Sequence, residues 1–476
     1  MGLESGASEA RFVAYVENLA AVLGHADRVE PLKDYCTGLL LAGERKSVEP
    51  MAAILAPKRT AAKHQSLLHF VGESAWSDEA VLTKVRDLVL PEIEACGKIE
   101  AWIVDDTGFP KKGAHSVGVA RQYCGRLGKT DNCQIAVMLS IANHSASLPI
   151  AYRLYLPEDW ANDAARRQKA HVPDDVKFQT KPEIALGQIR AALLAGVARG
   201  VVLADAGYGS DGAFRAGVTA MGLTYSVGVQ STLSVWPSGT EPLPPKPWSG
   251  RGRKPSRMRR EADHRPVSVK KLAMTLPQDA WRDVAWREGS NDTLSSRFAA
   301  LRIRPASRDE KRPTPHPFEW LLVEWPQGEK EPTKYWLLTL PEDTPIAVLV
   351  DTAKLRWPIE RDYEELKSEL GLAHFEGRGW RGFHHHATLC IAAYGFLIRE
   401  RAAFPPSATS KREKPALFHR PRPRGAPHPT RAPRRELNRD PAQNAHRRPR
   451  QIPRTMPLLP ASNHAETAAL PTLMTQ

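Results

Sequence analysis

Three acidic residues have the type and placement for phosphodiester chemistry. Asp106 closes the apolar run Ile99-Glu-Ala-Trp-Ile-Val-Asp-Asp106, and Asp205 closes Val201-Val-Leu-Ala-Asp205. Glu360 follows Asp205 by 155 residues, in a helical pattern. Carboxylate oxygens are hard ligands suited to Mg²⁺, which keeps several of its waters, so a few acids from different elements suffice to hold it. Two such ions roughly 3.5–4 Å apart can activate an oxygen nucleophile, stabilise a leaving oxygen and shield the developing charge. Acids at strand ends project from a rigid frame that preserves this geometry. A single acid at a strand end is more commonly a solvated turn or helix cap, so the case rests on the three together and on the sequence around them.

That surrounding sequence resembles a known family. Val104-Asp-Asp-Thr-Gly-Phe-Pro-Lys-Lys112, followed by Ser116-Val-Gly-Val-Ala-Arg-Gln-Tyr123, is similar to the first catalytic block of bacterial insertion-sequence transposases of the DDE superfamily. Leu203-Ala-Asp-Ala-Gly-Tyr-Gly209 is similar to the second. Arg356-Trp-Pro-Ile-Glu360 with Lys367 resembles the third, whose signature is Tyr-x2-Arg-x3-Glu-x6-Lys; here the tyrosine position is taken by Ala353. The likeness covers roughly residues 98–400. It implies an α/β fold: an RNase H-like mixed-sheet catalytic core with a β-rich insertion before the last acid. It further implies that Asp106, Asp205 and Glu360 are the catalytic and metal-binding acids, with two divalent ions, Mg²⁺ or substituting Mn²⁺. Asp106 is preferred over Asp105 because it precedes a threonine, as in the family. Adjacent strand residues point to opposite faces, so the two cannot serve equally.

The activity implied is that of a DNA transposase: cleavage at transposon ends, then transfer of the freed 3′-hydroxyl to target DNA. The partner is then double-stranded DNA, with a dimer in the synaptic complex. Arg356 lies one helical turn before Glu360 and Lys367 nearly two turns after it, so both cations could hold a phosphate near the metals. The competing reading is intrahelical pairing with Asp362, Glu364 or Glu365. Trp336 occupies a position where related transposases stack a flipped base; a core tryptophan is the plainer alternative.

The elements that must position these residues are legible in outline. Residues 1–97 read as a helical N-terminal domain, with Phe12, Val16, Leu19, Val22 and Leu23 at helical spacing and a role in binding DNA ends as an added expectation. From 98 to 230 the texture is that of a core, first part: strand candidates at 99–106, 115–123 and 133–143 form an antiparallel meander. A helix at 181–198, a strand to Asp205, a helix at 210–221 and a strand at 223–229 follow. Residues 231–332 read as a β-rich basic insertion, with strands at 299–304 and 318–325. Residues 333–404 complete the core with a strand at 335–340, a long helix at 346–371 continuous apart from Pro358, and another at 384–403. The Pro/Arg-rich tail, 405–476, has too few periodic apolar positions to offset its ordering entropy and reads as disordered; a frameshifted gene end would give the same abrupt change.

Composition narrows the partners. Net charge is +14 over 476 residues, but 401–476 alone contribute +11, so the basic signal is mostly local. Within the insertion, Arg251–Lys271 holds nine Lys/Arg and two acids, a candidate for DNA-backbone contact. Five cysteines without a C-x-x-C pair argue against a disulfide framework or a thiolate zinc site and fit a reducing cytoplasm. No apolar window reaches membrane-spanning length. Gly207-Tyr-Gly-Ser-Asp-Gly212 satisfies a dinucleotide-binding pattern, yet no acid ends the next strand to meet a ribose. His384-His-His386 lacks carboxylate or thiolate companions at metal-ligand spacing. A catalytically inactive DNA-binding remnant of a transposase is the main alternative.

Overall fold

The computed structural model describes residues 2–288 and 293–404; the side chains of 2–6, 287, 288, 293, Pro358 and Glu360 lie outside that description. The Pro/Arg-rich tail therefore falls outside the described residues. Five helices come first: α1 (Gly2–Ala20), α2 (Val29–Leu40), α3 (Val48–Leu55), α4 (Thr60–Gly72) and α5 (Asp78–Cys96). The meander follows as β1 (Ala101–Pro110), β2 (Ala120–Cys124), β3 (Lys129–Ala142) and β4 (Ser147–Leu154). Two short helices, α6 (Glu158–Ala161) and α7 (Ala164–Lys169), lead to α8 (Lys181–Leu194), β5 (Val201–Ala204), α9 (Ala206–Gly209), α10 (Gly212–Ala220) and β6 (Tyr225–Gly228).

Burial explains why β1 is central. Ala101 to Val104 are wholly inaccessible, as expected of a strand covered on both faces. β1 pairs antiparallel with β3 and parallel with β5, and β5 pairs parallel with β6. β3 also carries β2 and β4 along its other edge. The result is a mixed α/β sheet, consistent with an RNase H-like core. The strand expected at 115–123 is confined to β2, because Gly118 takes a left-handed backbone that interrupts extension. α8 starts where a capping box forms between Thr180 and Glu183, with proline in the first turn.

The inserted segment extends the same sheet. It contributes β7 (Ser234–Pro237), β8 (Val267–Ser268), α11 (Val269–Met274), β9 (Arg282–Glu288), β10 (Thr293–Pro305) and β11 (Glu319–Trp325). β12 (Lys334–Leu338) pairs antiparallel with both β6 and β11 and so joins insertion to core. Part of the basic stretch is used internally: Arg260 pairs with the buried Asp309 at 2.5 Å, and Trp236 Nε1 donates to the same carboxylate at 2.6 Å.

The long helix expected at 346–371 is broken. α12 (Ile346–Lys354) stops before Pro358, which lacks an N–H and instead begins α13 (Pro358–Glu364). A π-helical turn, Glu365–Glu369, follows, and Gly371 ends it in a left-handed conformation with Lys46 packed where a Cβ would stand. The last helix, α14 (Trp380–Ala403), is buried almost all round, between α5, α2 and α4 on one side and β4 on the other. Helices α1–α5 thus share one hydrophobic core with the sheet.

The three consecutive histidines serve this packing. His384 Nε2 accepts from the Leu154 amide at 3.2 Å and so ties α14 to the end of β4. His385 stacks on Trp76 at 3.6 Å between ring centroids. Burial holds His386 down to about 4, so the ring is neutral at physiological pH. Its Nδ1 then accepts from Tyr35 and its Nε2 donates to the Gly371 carbonyl, both at 2.9 Å.

Asp362 joins three elements. It accepts from Ser147 on β4 and from Tyr394 on α14, the latter at 2.6 Å, and so anchors α13. Asp362→Ala leaves both buried hydroxyls unpaired and should lower unfolding free energy by roughly 2–5 kcal/mol. Asp362→Asn should cost less, as read by chemical denaturation. A second prediction concerns pH. Burial pushes Glu319 up to about 7, opposed by Arg215. A raised carboxylate pKa makes its contribution to stability full below the unfolded value and lost as pH rises through the folded one. Between pH 4.5 and 7 this group should remove about 3 kcal/mol of stability. Glu319→Gln should flatten that part of the stability–pH curve.

Candidate active site

The parallel pairing of β1 with β5 brings two sequence-distant acids together. Its register runs Ala101↔Val201 to Ile103↔Leu203, and extending it two places sets Asp105 level with Asp205. Asp205 caps α9, its Oδ1 accepting from the Gly207 amide at 2.9 Å and the Tyr208 amide at 3.4 Å. The glycine pattern here has a packing cause. A side chain at Gly209 would overlap the Gly228 carbonyl and Val227, so glycine is what lets α9 lie against β6.

Asp105 and Asp106 point into different surroundings. Asp106 is partly exposed; Lys181 at the start of α8 meets its Oδ2 at 2.5 Å, and the Tyr208 hydroxyl donates to its Oδ1. Asp105 is more enclosed and pairs with Arg356 Nη2 at 2.7 Å. Its Oδ1 also accepts from the Asp106 amide at 2.8 Å. Burial pushes the Asp105 carboxyl up to about 6; Arg356 opposes the shift and Asp205 adds to it. Arg356 in turn is opposed by burial, yet Asp105 and Asp205 hold its guanidinium above the usual range. Arg356 thus faces Asp105 and Asp205 together, while Asp106 is tied to α8 and α9.

Glu360 lies on α13, one turn beyond Arg356; its side chain is outside the described atoms. Lys367 sits in the π-helical turn, a feature common near functional sites. Burial and the neighbouring Arg126 cation hold its amine below the usual range, against the pull of Asp105. Trp336 lies on β12 opposite Gly228, which packs against the Asp205 backbone, and its half-buried ring sits beside a smaller apolar cluster. Lys354 stands 5.4 Å from its ring centroid and also faces Trp286 at 4.3 Å. Its ring is therefore engaged with a lysine of α12.

Three residues of this neighbourhood escaped the sequence reading: Lys181, Tyr208 and Tyr363. Tyr363 is buried, and its hydroxyl finds no hydrogen-bond partner among the described residues. Its pKa is raised first by burial and next by Asp105, which places the ring beside the acids. The signature position for a tyrosine, Ala353, is buried in α12, and Tyr363, from the following helix, lies within electrostatic reach of Asp105. Only the one-turn spacing from Glu360 to Tyr363 hinted at this.

Among the described residues no three His, Cys, Asp or Glu side chains form a ready metal-binding group. The residues present nevertheless fit a divalent cation. Asp105 and Asp205 offer hard oxygens, and Asp205 adds to the upward push that burial gives the Asp105 carboxyl, a cost that a bound cation would relieve. No helix among the described residues is long and apolar enough to cross a membrane.

Residues 18–293 match the family model described as DDE superfamily endonuclease. The chain is also 32% identical over 203 residues to a probable transposase for insertion sequence element IS701 from Microchaete diplosiphon, covering 42% of this chain and 49% of that protein. The chain thus spans about half the length of the curated relative it matches. With the family model covering more than half of its length, the chain belongs to the DDE superfamily of endonucleases.

Proposed function

We propose that this protein is an insertion-sequence transposase, which cuts DNA at the ends of its element and joins the freed 3′-hydroxyl to target DNA. The observation that carries this reading is the register of β1 against β5, which brings Asp105 level with Asp205, together with the pairing of Arg356 with Asp105. The relative's name as a probable transposase supports it. The carboxylates proposed to act are Asp205, Glu360 and one of the Asp105–Asp106 pair. The flanking threonine favours Asp106. The ion pair with Arg356 and the proximity to Asp205 favour Asp105.

These acids would hold divalent cations, Mg²⁺ or Mn²⁺, which when bound supply charge shielding and a more acidic attacking water. The chain's own residues do the remaining work. Arg356 presents a planar fork suited to two oxygens of one phosphate, and Lys367 adds a point charge on the same side. Asp205 is held by amides of α9, and Asp106 by Lys181 and Tyr208, so neither needs to reorganise when DNA arrives. No covalent protein–DNA bond is required. The DNA is double-stranded, and synapsis of two ends calls for a dimer. A role for helices α1–α5 in holding the ends is part of the same proposal.

The test is Mg²⁺- or Mn²⁺-dependent cleavage of duplexes taken from the DNA flanking the gene. Asp205→Asn and Glu360→Gln should each reduce cleavage by at least ~10²-fold while leaving binding of the duplex within a few-fold of wild type. Asp105→Asn and Asp106→Asn should separate, one losing cleavage as Asp205→Asn does and the other retaining a measurable rate. Near-wild-type cleavage in both would show that β1 supplies no essential acid. Binding without cleavage in the wild-type protein would favour the inactive remnant.

A further inference from the structure

We infer that an open basic cleft beside the C-terminal end of β1 carries the phosphate backbone of a DNA strand leading to the acid pair. The cleft has a volume of about 770 Å³. It is walled by the segment after β1, the β2–β3 turn, the α2–α3 connection and the segment before α14. Lys111, Lys112, Arg126 and Arg378 line it with Arg45, against the acids Glu44 and Glu376. Glu376 is taken up by Arg45. Among the described residues no carboxylate pairs with Lys111, Lys112, Arg126 or Arg378.

A concave surface that gathers four cations outside any ion pair, with Glu44 the one acid left beside them, carries an excess of positive charge that an anion relieves. Lys111 shows the strain most directly. Its amine donates to the Phe375 carbonyl at 2.7 Å, and burial holds its pKa below the usual range. An ammonium removed from water with only a carbonyl for company is under-compensated. The histidine in the wall, His374, is likewise held down, by burial and then by Arg45 and Arg126. These two groups form the enclosed floor of the cleft, and Lys112, Arg126 and Arg378 its exposed rim.

The cleft also connects to the acids. Arg126 lies close enough to Lys367 to disfavour its charge, and Lys367 lies close enough to Asp105 to be favoured by it. Pro110, in the cleft wall, ends the same strand that carries Asp105, so β1 itself leads from the cleft to the acid pair. Along β1, Asp105 and Pro110 are five residues apart, about 17 Å at ~3.4 Å per residue. Successive phosphates of one strand lie ~6–7 Å apart, so a backbone following that path covers about three nucleotides. The phosphates held here should lie about three nucleotides from the cut. An open, unevenly walled groove with several separated cations suits a chain of phosphates better than one small anion.

This inference rests on the proposed transposase reading, and its test keeps the two apart. The full chain is titrated onto a fluorescent ~40-base-pair duplex from the DNA flanking the gene, across a series of salt concentrations. Lys112, Arg126 and Arg378 are exposed, so Lys112→Gln, Arg126→Gln and Arg378→Gln can be combined without threatening the fold. The triple variant should bind at least tenfold more weakly, with a salt slope smaller by about 2–3. A control variant losing equal charge at exposed Lys177, Arg190 and Lys330 should stay within a few-fold of wild type. Uncharged methylphosphonates placed about three nucleotides from the cut should weaken wild-type binding and leave the triple variant unchanged. Equal losses in the triple and control variants would overturn the cleft as a DNA path, as would a methylphosphonate effect that persists in the triple variant. Micromolar binding of a mononucleotide that the triple variant abolishes would overturn it as well, in favour of a small-ligand site. If the wild-type protein neither binds nor cleaves the duplex, the transposase reading itself fails.

Discussion

Like charges brought level by strand pairing define the centre of this molecule. The parallel pairing of β1 with β5 carries Asp105 and Asp205 to the same level of the sheet. Burial pushes the Asp105 carboxyl up to about 6, and Asp205 adds to that push. Arg356 pairs with Asp105 and offsets part of that cost. The surrounding structure works to hold this arrangement: a buried β1, a cap on α9, a proline that starts α13, and Asp362 stapling α13 to β4 and α14. An arrangement that is poor for stability yet tightly supported is what the proposed chemistry would require.

The same logic separates the two neighbouring aspartates. Asp106 is satisfied by a lysine and a tyrosine, a stable local network. Asp105 is left with a guanidinium that also faces Asp205. One residue of β1 thus supports α8 and α9, and the next faces α13. Their difference follows from strand alternation, which turns successive side chains to opposite faces. Beyond the acids, the cations of the π-helical turn and the β2–β3 hairpin extend the field outward, so that acids and cations together present a surface suited to a polyanion.

The chain by itself determined much of this. The apolar runs ending in acids, the meander, the strand–helix alternation and the inserted β segment were all legible, because burial on two faces leaves uninterrupted apolar strands and helices leave a 3.6-residue period. Asp106, Asp205, Glu360, Arg356 and Lys367 were singled out because each sits in a short block that resembles a family's, and Arg356, Glu360 and Lys367 keep that family's spacing. The broken helix was half visible: Pro358 was noted, but whether a proline kinks or terminates a helix depends on what packs around it.

Other features were decided only in three dimensions. Whether Asp105 or Asp106 faces Arg356 is a question of strand register, and a shift of one residue reverses it. Tyr363, Tyr208 and Lys181 join the site from elements whose docking no local pattern encodes. The three histidines look like a metal motif in one dimension and are core hydrogen-bonding groups in the fold, because α14 is surrounded by other elements rather than by water. Trp336 was placed on its strand correctly, yet its ring meets Lys354 of a helix that the chain brings back from elsewhere. Local sequence specifies periodicity, caps and breaks. Only the folded sheet and its helices bring distant charges within ångströms of one another.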